Sequence, residues 1–381
     1  MGYLDVADSL KPPARGLLYR FLRPLLFRLD AEDAHGLGVR AARLGQRAPG
    51  VVRALFRAPD ARLAQTVLGL RFASPVGLAA GFDKNADLVS FWPTLGFGFA
   101  EIGSVTALAS AGNARPRAFR LPADGALVNR MGLNNDGAEA VAQRLAATPR
   151  PPGFVLGVNV AKTHSPAILG DAGVEDFRTS VRQLAPHADY LALNVSCPNT
   201  AEGKTFETPD ALDALLSAVT ETVGALGDAP PLLVKLSPPP TRGVDAGATD
   251  ALVQLCLDHG VAGFITSNTA SDRDALATAP DALATIGAGG LSGRPLADRA
   301  LALTRHLFRA TEGRVPIIGV GGVDSPDAAY ARVRAGASLV QLYTGLVYEG
   351  PGLVGRIHRG LVRRLDRDGI GTLADAVGLD A

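Results

Sequence analysis

Cysteine is almost absent: the 381 residues hold two, Cys197 and Cys256, too few for a disulfide framework or a zinc cluster, so a reducing compartment is the default. No run of about 18 apolar residues occurs, and no helix long enough to span a membrane is expected. The start lacks the uninterrupted apolar core of a secretory signal. Excess charge is missing too. With 38 Lys+Arg against 37 Asp+Glu, the formal net charge is +1, which argues against binding nucleic acid through bulk charge and against a long disordered polyelectrolyte. Aromatic residues make up only 6%.

What is abundant is aliphatic: 47% of residues are hydrophobic, enough for a sizeable core, and 44 glycines along the chain point to many tight turns and close backbone approaches to ligands. The first residues differ from the rest. From Ser9 to Leu29 there is no acid but there are five bases, Lys11, Arg15, Arg20, Arg23 and Arg28. Leu17, Leu18, Phe21, Leu22, Leu25, Leu26 and Leu29 form a helical stripe with the bases mostly off it. Pro24 should kink or split that helix, and Asp30 or Asp33 is placed to cap a second one. Three readings fit: a helix pair packed on the domain surface, a monotopic hairpin whose apolar face enters a membrane interface, or a mitochondrial presequence.

Beyond Ser74 short apolar runs alternate with helical stretches. The runs are Val76–Ala80, Phe99–Ile102, Val155–Val158, Tyr190–Val195, Leu232–Leu236, Gly263–Thr266, Pro316–Val320 and Leu339–Leu342. Continuous apolar runs are the mark of buried parallel strands, and eight of them predict an α/β fold, a (β/α)8 barrel. A doubly wound open sheet is the alternative, but its glycine fingerprint is missing after the first run. Ala118–Asn129, with Ala-Asp-Gly at its middle, reads as an inserted hairpin.

Such a barrel places its active site at the C-terminal ends of the strands. The residues following the runs are rich in amides, lysines, hydroxyls and glycines: Gly81, Asp83 and Lys84; Ser104; Asn159; Asn194, Ser196, Cys197 and Asn199; Lys235; Ser267, Asn268 and Thr269; Gly321 and Gly322; Tyr343, Thr344 and Gly345. The opposed acids of a glycoside hydrolase are missing, as are His and Asp ligands for a metal. The set suits a planar polar heterocycle with an anionic group, and the glycines after strand seven sit where such barrels commonly take a phosphate. Gly321-Gly322 also fits a plain tight turn, Lys84 and Lys235 also fit solvated side chains, and Asn194 and Asn199 also fit structural turn residues. Cys256, between Leu255 and Leu257, reads as an inert core thiol; Cys197, in a polar loop at the catalytic end, reads as a reactive one.

Several segments resemble dihydroorotate dehydrogenase: Ala79-Ala80-Gly81-Phe82-Asp83-Lys84, Asn129-Arg130-Met131-Gly132-Leu133, Asn194-Val195-Ser196-Cys197-Pro198-Asn199-Thr200, Gly290-Leu291-Ser292-Gly293-Arg294-Pro295-Leu296, Ile318-Gly319-Val320-Gly321-Gly322-Val323 and Leu342-Tyr343-Thr344-Gly345. They come in the family's order, and the N-terminal helices with Asp30–His35 resemble its membrane-associated, quinone-dependent class 2. The resemblance implies an FMN-containing barrel, residues 51–381, that oxidises dihydroorotate to orotate in pyrimidine biosynthesis, preceded by a membrane and quinone-tunnel segment, residues 1–50. It implies FMN contacts from Ala80, Gly81, Lys84, Ser104, Asn159, Asn194, Lys235, Ser267, Gly293, Gly322, Tyr343 and Thr344. It implies substrate contacts from Lys84, Asn129, Arg130, Met131, Gly132, Leu133, Asn194, Asn199, Asn268 and Thr269, with Cys197 as general base and no metal. Arg120 would be a polar contact at the inner end of the tunnel. The expected partners are dihydroorotate or orotate and a membrane quinone, with no nucleic acid. The expected state is a monomer, peripheral on the cytoplasmic face of a bacterial cell membrane.

Three departures matter. Class 2 members usually carry serine where Cys197 stands, cysteine being usual in the cytosolic class 1 enzymes; Ala201-Glu202-Gly203-Lys204 differs from the usual Pro-Gly-Leu-Arg of class 2; and Ser104 and Ser267 replace family threonines. A class 1-type enzyme using fumarate or NAD, a flavin barrel acting on another pyrimidine, and a non-catalytic barrel binding a phosphorylated ligand are the competing expectations.

Overall fold

A computed structural model describes residues 14–56, 59–196, 205–241 and 243–381. Cys197 and Asn199, expected as base and substrate ligand, lie outside the described residues.

The described residues open with three helices, α1 (Ala14–Leu26), α2 (Ala31–Gln46) and α3 (Pro49–Leu55). Helix α1 runs on past Pro24 and ends at Leu26. Asp30 is the N-cap of α2, its carboxylate accepting from the backbone N–H of Glu32 at 2.9 Å and of Asp33 at 3.3 Å. That satisfies two of the four donors a helix start leaves open. A short hairpin, β1 (Gln65–Val67) with β2 (Leu70–Phe72), then leads into the barrel.

The expected barrel is there. Its strands are β3 (Val76–Leu78), β4 (Phe99–Val105), then, after an inserted hairpin of β5 (Ala118–Leu121) and β6 (Ala126–Asn129), β7 (Val155–Val160), β8 (Tyr190–Asn194), β9 (Leu232–Leu236) and β10 (Gly263–Thr266). After β11 (Gly290–Gly293), which joins the inserted hairpin as a third antiparallel strand, come β12 (Ile317–Val320) and β13 (Leu339–Leu342). The eight barrel strands pair in parallel, each with its sequence neighbours, and β13 closes on β3. Closure removes the open-sheet alternative and leaves the barrel no edge strand.

Outside the barrel run α4 (Ala138–Ala147), α5 (Asp171–Leu184), α6 (Pro209–Gly224), α7 (Ala246–Asp258), α8 (Pro280–Ile286), α9 (Ala297–Ala310), α10 (Pro326–Arg334), α11 (Thr344–Glu349) and α12 (Leu353–Asp368). Apolar stripes such as Phe177, Val181 and Leu184 of α5 and Leu212, Leu215, Leu216 and Val219 of α6 are sealed against the strands. Cys256 lies on α7 in this layer, and burial pushes its thiol up to about 12. It is the inert core thiol expected.

The inside of the barrel is layered. Val67 and Phe72 of the β1–β2 hairpin close its floor with Phe99, Val155, Leu233 and Leu339. Tyr190 projects inward above them, and only glycine fits opposite: a Cβ on Gly157 would overlap the tyrosine ring. Above that floor the interior turns polar, with Glu101, Asn159, Lys235 and Gln341 all buried.

Candidate active site

The C-terminal strand ends open into a cleft of about 1080 Å³, part of it open to solvent, a size that holds a cofactor together with a small substrate. Around it stand the expected Ala80, Gly81, Lys84, Ser104, Asn194, Lys235, Ser267, Gly293, Gly322, Tyr343 and Thr344, and on the substrate side Asn129, Met131, Gly132, Leu133, Asn268 and Thr269. Two expected residues stand elsewhere. Asn159 lies below the lining, fully buried, accepting from the Ser104 hydroxyl and donating to Glu101 at 2.9 Å. The Arg130 guanidinium turns away from the cleft. It donates to the carbonyls of Ile286 and, at 3.1 Å, Pro116, and it stacks on Phe119 with 4.8 Å to the ring centroid. A cation with three such partners has no need of the cleft.

The amides are bound into one chain. Asn268 donates to the side chain of Asn194 and to the Ser196 hydroxyl, each at 2.9 Å, and Asn194 donates to Ser104, also at 2.9 Å. Ser104 in turn reaches Asn159. Each amide is thereby fixed in orientation, which a site reading ring carbonyls and N–H groups requires. Ser196, next to Cys197, is fully buried and donates to the Lys235 carbonyl at 2.9 Å. Its proton is already engaged, so it makes a poor substitute base.

Lys84 is held at the rim by a hydrogen bond to Asn134. Burial, reinforced by the Arg117 charge and opposed by Glu32, brings its ammonium down to about 8. The loop that carries it is pinned from below. The buried Asp83 carboxylate accepts from the backbone of Asp87 at 2.8 Å and Leu88 at 2.9 Å, and from the Trp92 indole at 3.0 Å. Lys235 projects from β9 and pairs with Glu101 at 3.6 Å. Among the described residues no cluster of His, Cys, Asp or Glu could hold a metal ion.

Two buried polar atoms in the lining have no partner within the protein, Thr269 Oγ1 and Gln341 Oε1. Unpaired buried polar atoms are costly, and their presence in a cleft bearing two lysines suits a ligand with donors and negative charge. Gly293 and Gly322, with φ of 103° and 71°, bring backbone close to the far end of the cleft beside Thr344, whose hydroxyl shares a 2.9 Å hydrogen bond with Ser292. Ser292, Asn134 and Gln341 were not singled out individually from sequence; Ser292 lay inside a recognised motif, whereas Gln341 was hidden inside an apolar run.

A second cavity, of about 950 Å³, lies between α1 and this far end, lined by Arg23, Phe27, Tyr348 and Glu349 on one side and by Gly322 and Thr344 on the other. Arg120 does not line it. Its guanidinium donates to the Leu29 carbonyl at 2.8 Å and lies over the Phe27 ring, 4.7 Å from the centroid.

Closed barrel, polar mouth, two lysines and a helical annex together define the class of an α/β-barrel protein whose strand-end cleft suits a polar, anionic ligand. The family model for dihydroorotate dehydrogenase matches residues 62–365. A protein of Deinococcus deserti named dihydroorotate dehydrogenase (quinone) is 47% identical over 370 residues, covering 95% of this chain and 99% of its own. One of Roseiflexus, under the same name, is 45% identical over 365 residues, covering 95% and 98%. Among solved structures, the dihydroorotate dehydrogenase of Eimeria tenella in complex with ferulenol superposes with a TM-score of 0.82 at 32% identity, covering 92% of this chain and 96% of the other. The chain belongs to the dihydroorotate dehydrogenases, FMN-dependent enzymes of pyrimidine biosynthesis, and its match falls in the quinone-dependent class 2.

Proposed function

We propose that the described cleft is where this chain binds FMN and oxidises dihydroorotate to orotate, passing the electrons to a membrane quinone. The observation that carries the reading is the fixed hydrogen-bonded chain from Asn268 through Asn194 and the Ser104 hydroxyl, which lines one mouth with Lys84 and Lys235 and is anchored below it on Asn159. FMN, when bound, supplies the two-electron acceptor for the reaction.

The chain's own residues supply the rest. Lys84, at the rim, pairs with the substrate carboxylate. Asn129, Asn194, Asn199 and Asn268, with the Met131–Leu133 turn and Thr269, satisfy the ring amides and cover the ring. Cys197 takes the proton from the carbon next to the substrate carbonyl; a thiol, with a reference value of about 8.5, is a far better base at neutral pH than a serine hydroxyl. Lys235 faces the negative charge that accumulates on reduction. Gly293, Gly322 and Thr344 take the phosphate end.

The quinone enters beside α1 through the second cavity, with residues 1–50 acting as the membrane and tunnel segment and 51–381 as the catalytic barrel. Support comes from the outer face of α1, where Phe21 is 73% and Leu25 59% exposed. An amphipathic helix with leucines outward and arginines beside them lies in an interface. No helix among the described residues is long and apolar enough to cross a membrane. Peripheral attachment to the cytoplasmic face of the bacterial membrane, as a monomer, completes the reading. The test is an acceptor assay on the purified, flavin-bearing protein. Dihydroorotate oxidation with a quinone, and none with fumarate or NAD, is the expected result; fumarate or NAD reduction without quinone turnover overturns it.

A further inference from the structure

Glu101 projects from β4 into the barrel axis, one layer below the cleft, and its side chain is 0% exposed. Four side chains from four other strands converge on it. Asn159 of β7 donates to Oε1 at 2.9 Å, and Lys235 of β9 lies 3.6 Å from the same oxygen. Gln341 of β13 donates to Oε2 at 2.8 Å, and Tyr190 of β8 donates to that oxygen at 3.2 Å. Ionised, a carboxylate only accepts, and two oxygens facing four donors is a site built for the anion. Burial and the Glu101 charge hold the Tyr190 hydroxyl well above its ordinary range, so it stays a donor.

An isolated carboxylate would not survive at this depth, and Lys235 is its paired cation. The pairing has a consequence at the mouth, where Lys235 is part of the lining. There the ammonium acts together with an opposite charge one layer below, so its pull on incoming negative charge is reduced. We infer that Glu101 is a positioning residue for the reaction: it anchors Lys235 and Asn159 under the cofactor and, by offsetting the lysine's charge, sets the reduction potential of the bound flavin. The inference rests on FMN occupying the cleft as proposed.

Replacing Glu101 with glutamine is structurally tolerable because Gln341 has an unpartnered Oε1. Turning the Gln341 amide over presents that oxygen to the side-chain N–H₂ introduced by Glu101→Gln and keeps a hydrogen bond. The negative charge is lost while the shape is retained.

The experiment is a spectroelectrochemical titration of flavin-loaded wild type, Glu101→Gln, Glu101→Asp and Tyr190→Phe. In Glu101→Gln the potential should rise by an amount equal to at least tenfold tighter holding of reduced over oxidised flavin, about 30 mV for a two-electron couple. Glu101→Asp keeps the charge but withdraws it from Lys235, and should shift the same way by less. Tyr190→Phe removes a donor to the same carboxylate without changing net charge, so it should lose thermal stability and leave the potential in place. If Glu101→Gln fails to fold or to load flavin, Glu101→Asp decides alone. A flavin-loaded carboxylate variant at the wild-type potential, or a Tyr190→Phe shift as large as that of Glu101→Gln, overturns the inference while the functional reading stands. Wild type purified without any flavin overturns the functional reading, and the inference with it.

Discussion

The barrel and the N-terminal helices use their large apolar residues in opposite ways. In the barrel, Phe99, Leu156, Tyr190 and Leu233 are wholly enclosed, and burial of apolar area is what holds strand to helix. In α1 and α2 Leu22, Leu25, Leu37 and Leu44 are exposed, and beside a small apolar contact of Ala42 and Val39 with the barrel layer the segment docks through directional polar bonds. Tyr19 donates to the Val347 carbonyl, and Arg23 donates to that of Tyr348 at 3.0 Å. Arg117 grips both oxygens of Glu32, at 2.7 and 3.0 Å, and Arg115 reaches Asp30 at 3.0 Å and Asp33 at 2.7 Å. A hydrophobic stripe therefore says that a helix has an apolar face; only the partner decides whether that face is core or membrane surface. The polar docking also ties the helices to chemistry, since Glu32 and Arg117 both act on the Lys84 ammonium.

Removing residues 1–45 tests the division most severely. Quinone reduction and membrane binding should be lost altogether, while oxidation of dihydroorotate by a soluble dye survives. A truncated protein that reduces a long-chain quinone at full rate would show that the helices are not the route. Cys197→Ala should slow flavin reduction ~10²–10⁴-fold in stopped-flow measurements, with FMN and orotate still bound. An unchanged rate would remove Cys197 from the mechanism.

Stability should divide along the same line. Phe177→Ala, in the sealed layer between α5 and the strands, should cost about 3–5 kcal/mol in denaturant titration. The pH dependence of orotate binding follows Lys84. Its ammonium is charged below about 8 and neutral above, so affinity should be level at lower pH and fall by up to about tenfold per unit beyond that point. Isothermal titration against pH reads that fall. The smallest effect belongs to the outer face. Leu25→Ala should change folding stability by no more than about 0.5 kcal/mol, yet weaken sedimentation with anionic vesicles.

The barrel was legible because its strands are buried on both faces and so read as unbroken apolar runs; Leu232–Leu236, Gly263–Thr266 and Leu339–Leu342 match residue for residue. What escaped was short or glycine-rich. The β1–β2 hairpin has three residues a strand, β11 reads Gly-Leu-Ser-Gly, and α3 is seven residues opening on proline. Their structure comes from tertiary pairing rather than local pattern. At the site, the strand-end rule led to Lys84, Lys235, Asn194 and Asn268, whereas Arg130 was expected in the cleft only through the resemblance of its motif, and a motif cannot say which way a long side chain turns. Nor does it look below the mouth. Glu101 stood in plain view, a carboxylate between Ala100 and Ile102 in an otherwise apolar run, and such a residue has to be paired.

Cys256 gives the protein a built-in clock. Its thiol is sealed on α7 and held up to about 12, so an alkylating reagent can reach it only when that helix leaves the barrel. In Cys197→Ala it is the sole cysteine of the chain, and every labelling event then counts an opening. Under fast reclosing the labelling rate reports the equilibrium population of the open form. Orotate or FMN that binds only the closed barrel must slow that rate in proportion to 1 + [L]/Kd. Cys197→Ala thus becomes the gauge by which each ligand's grip on the barrel is weighed.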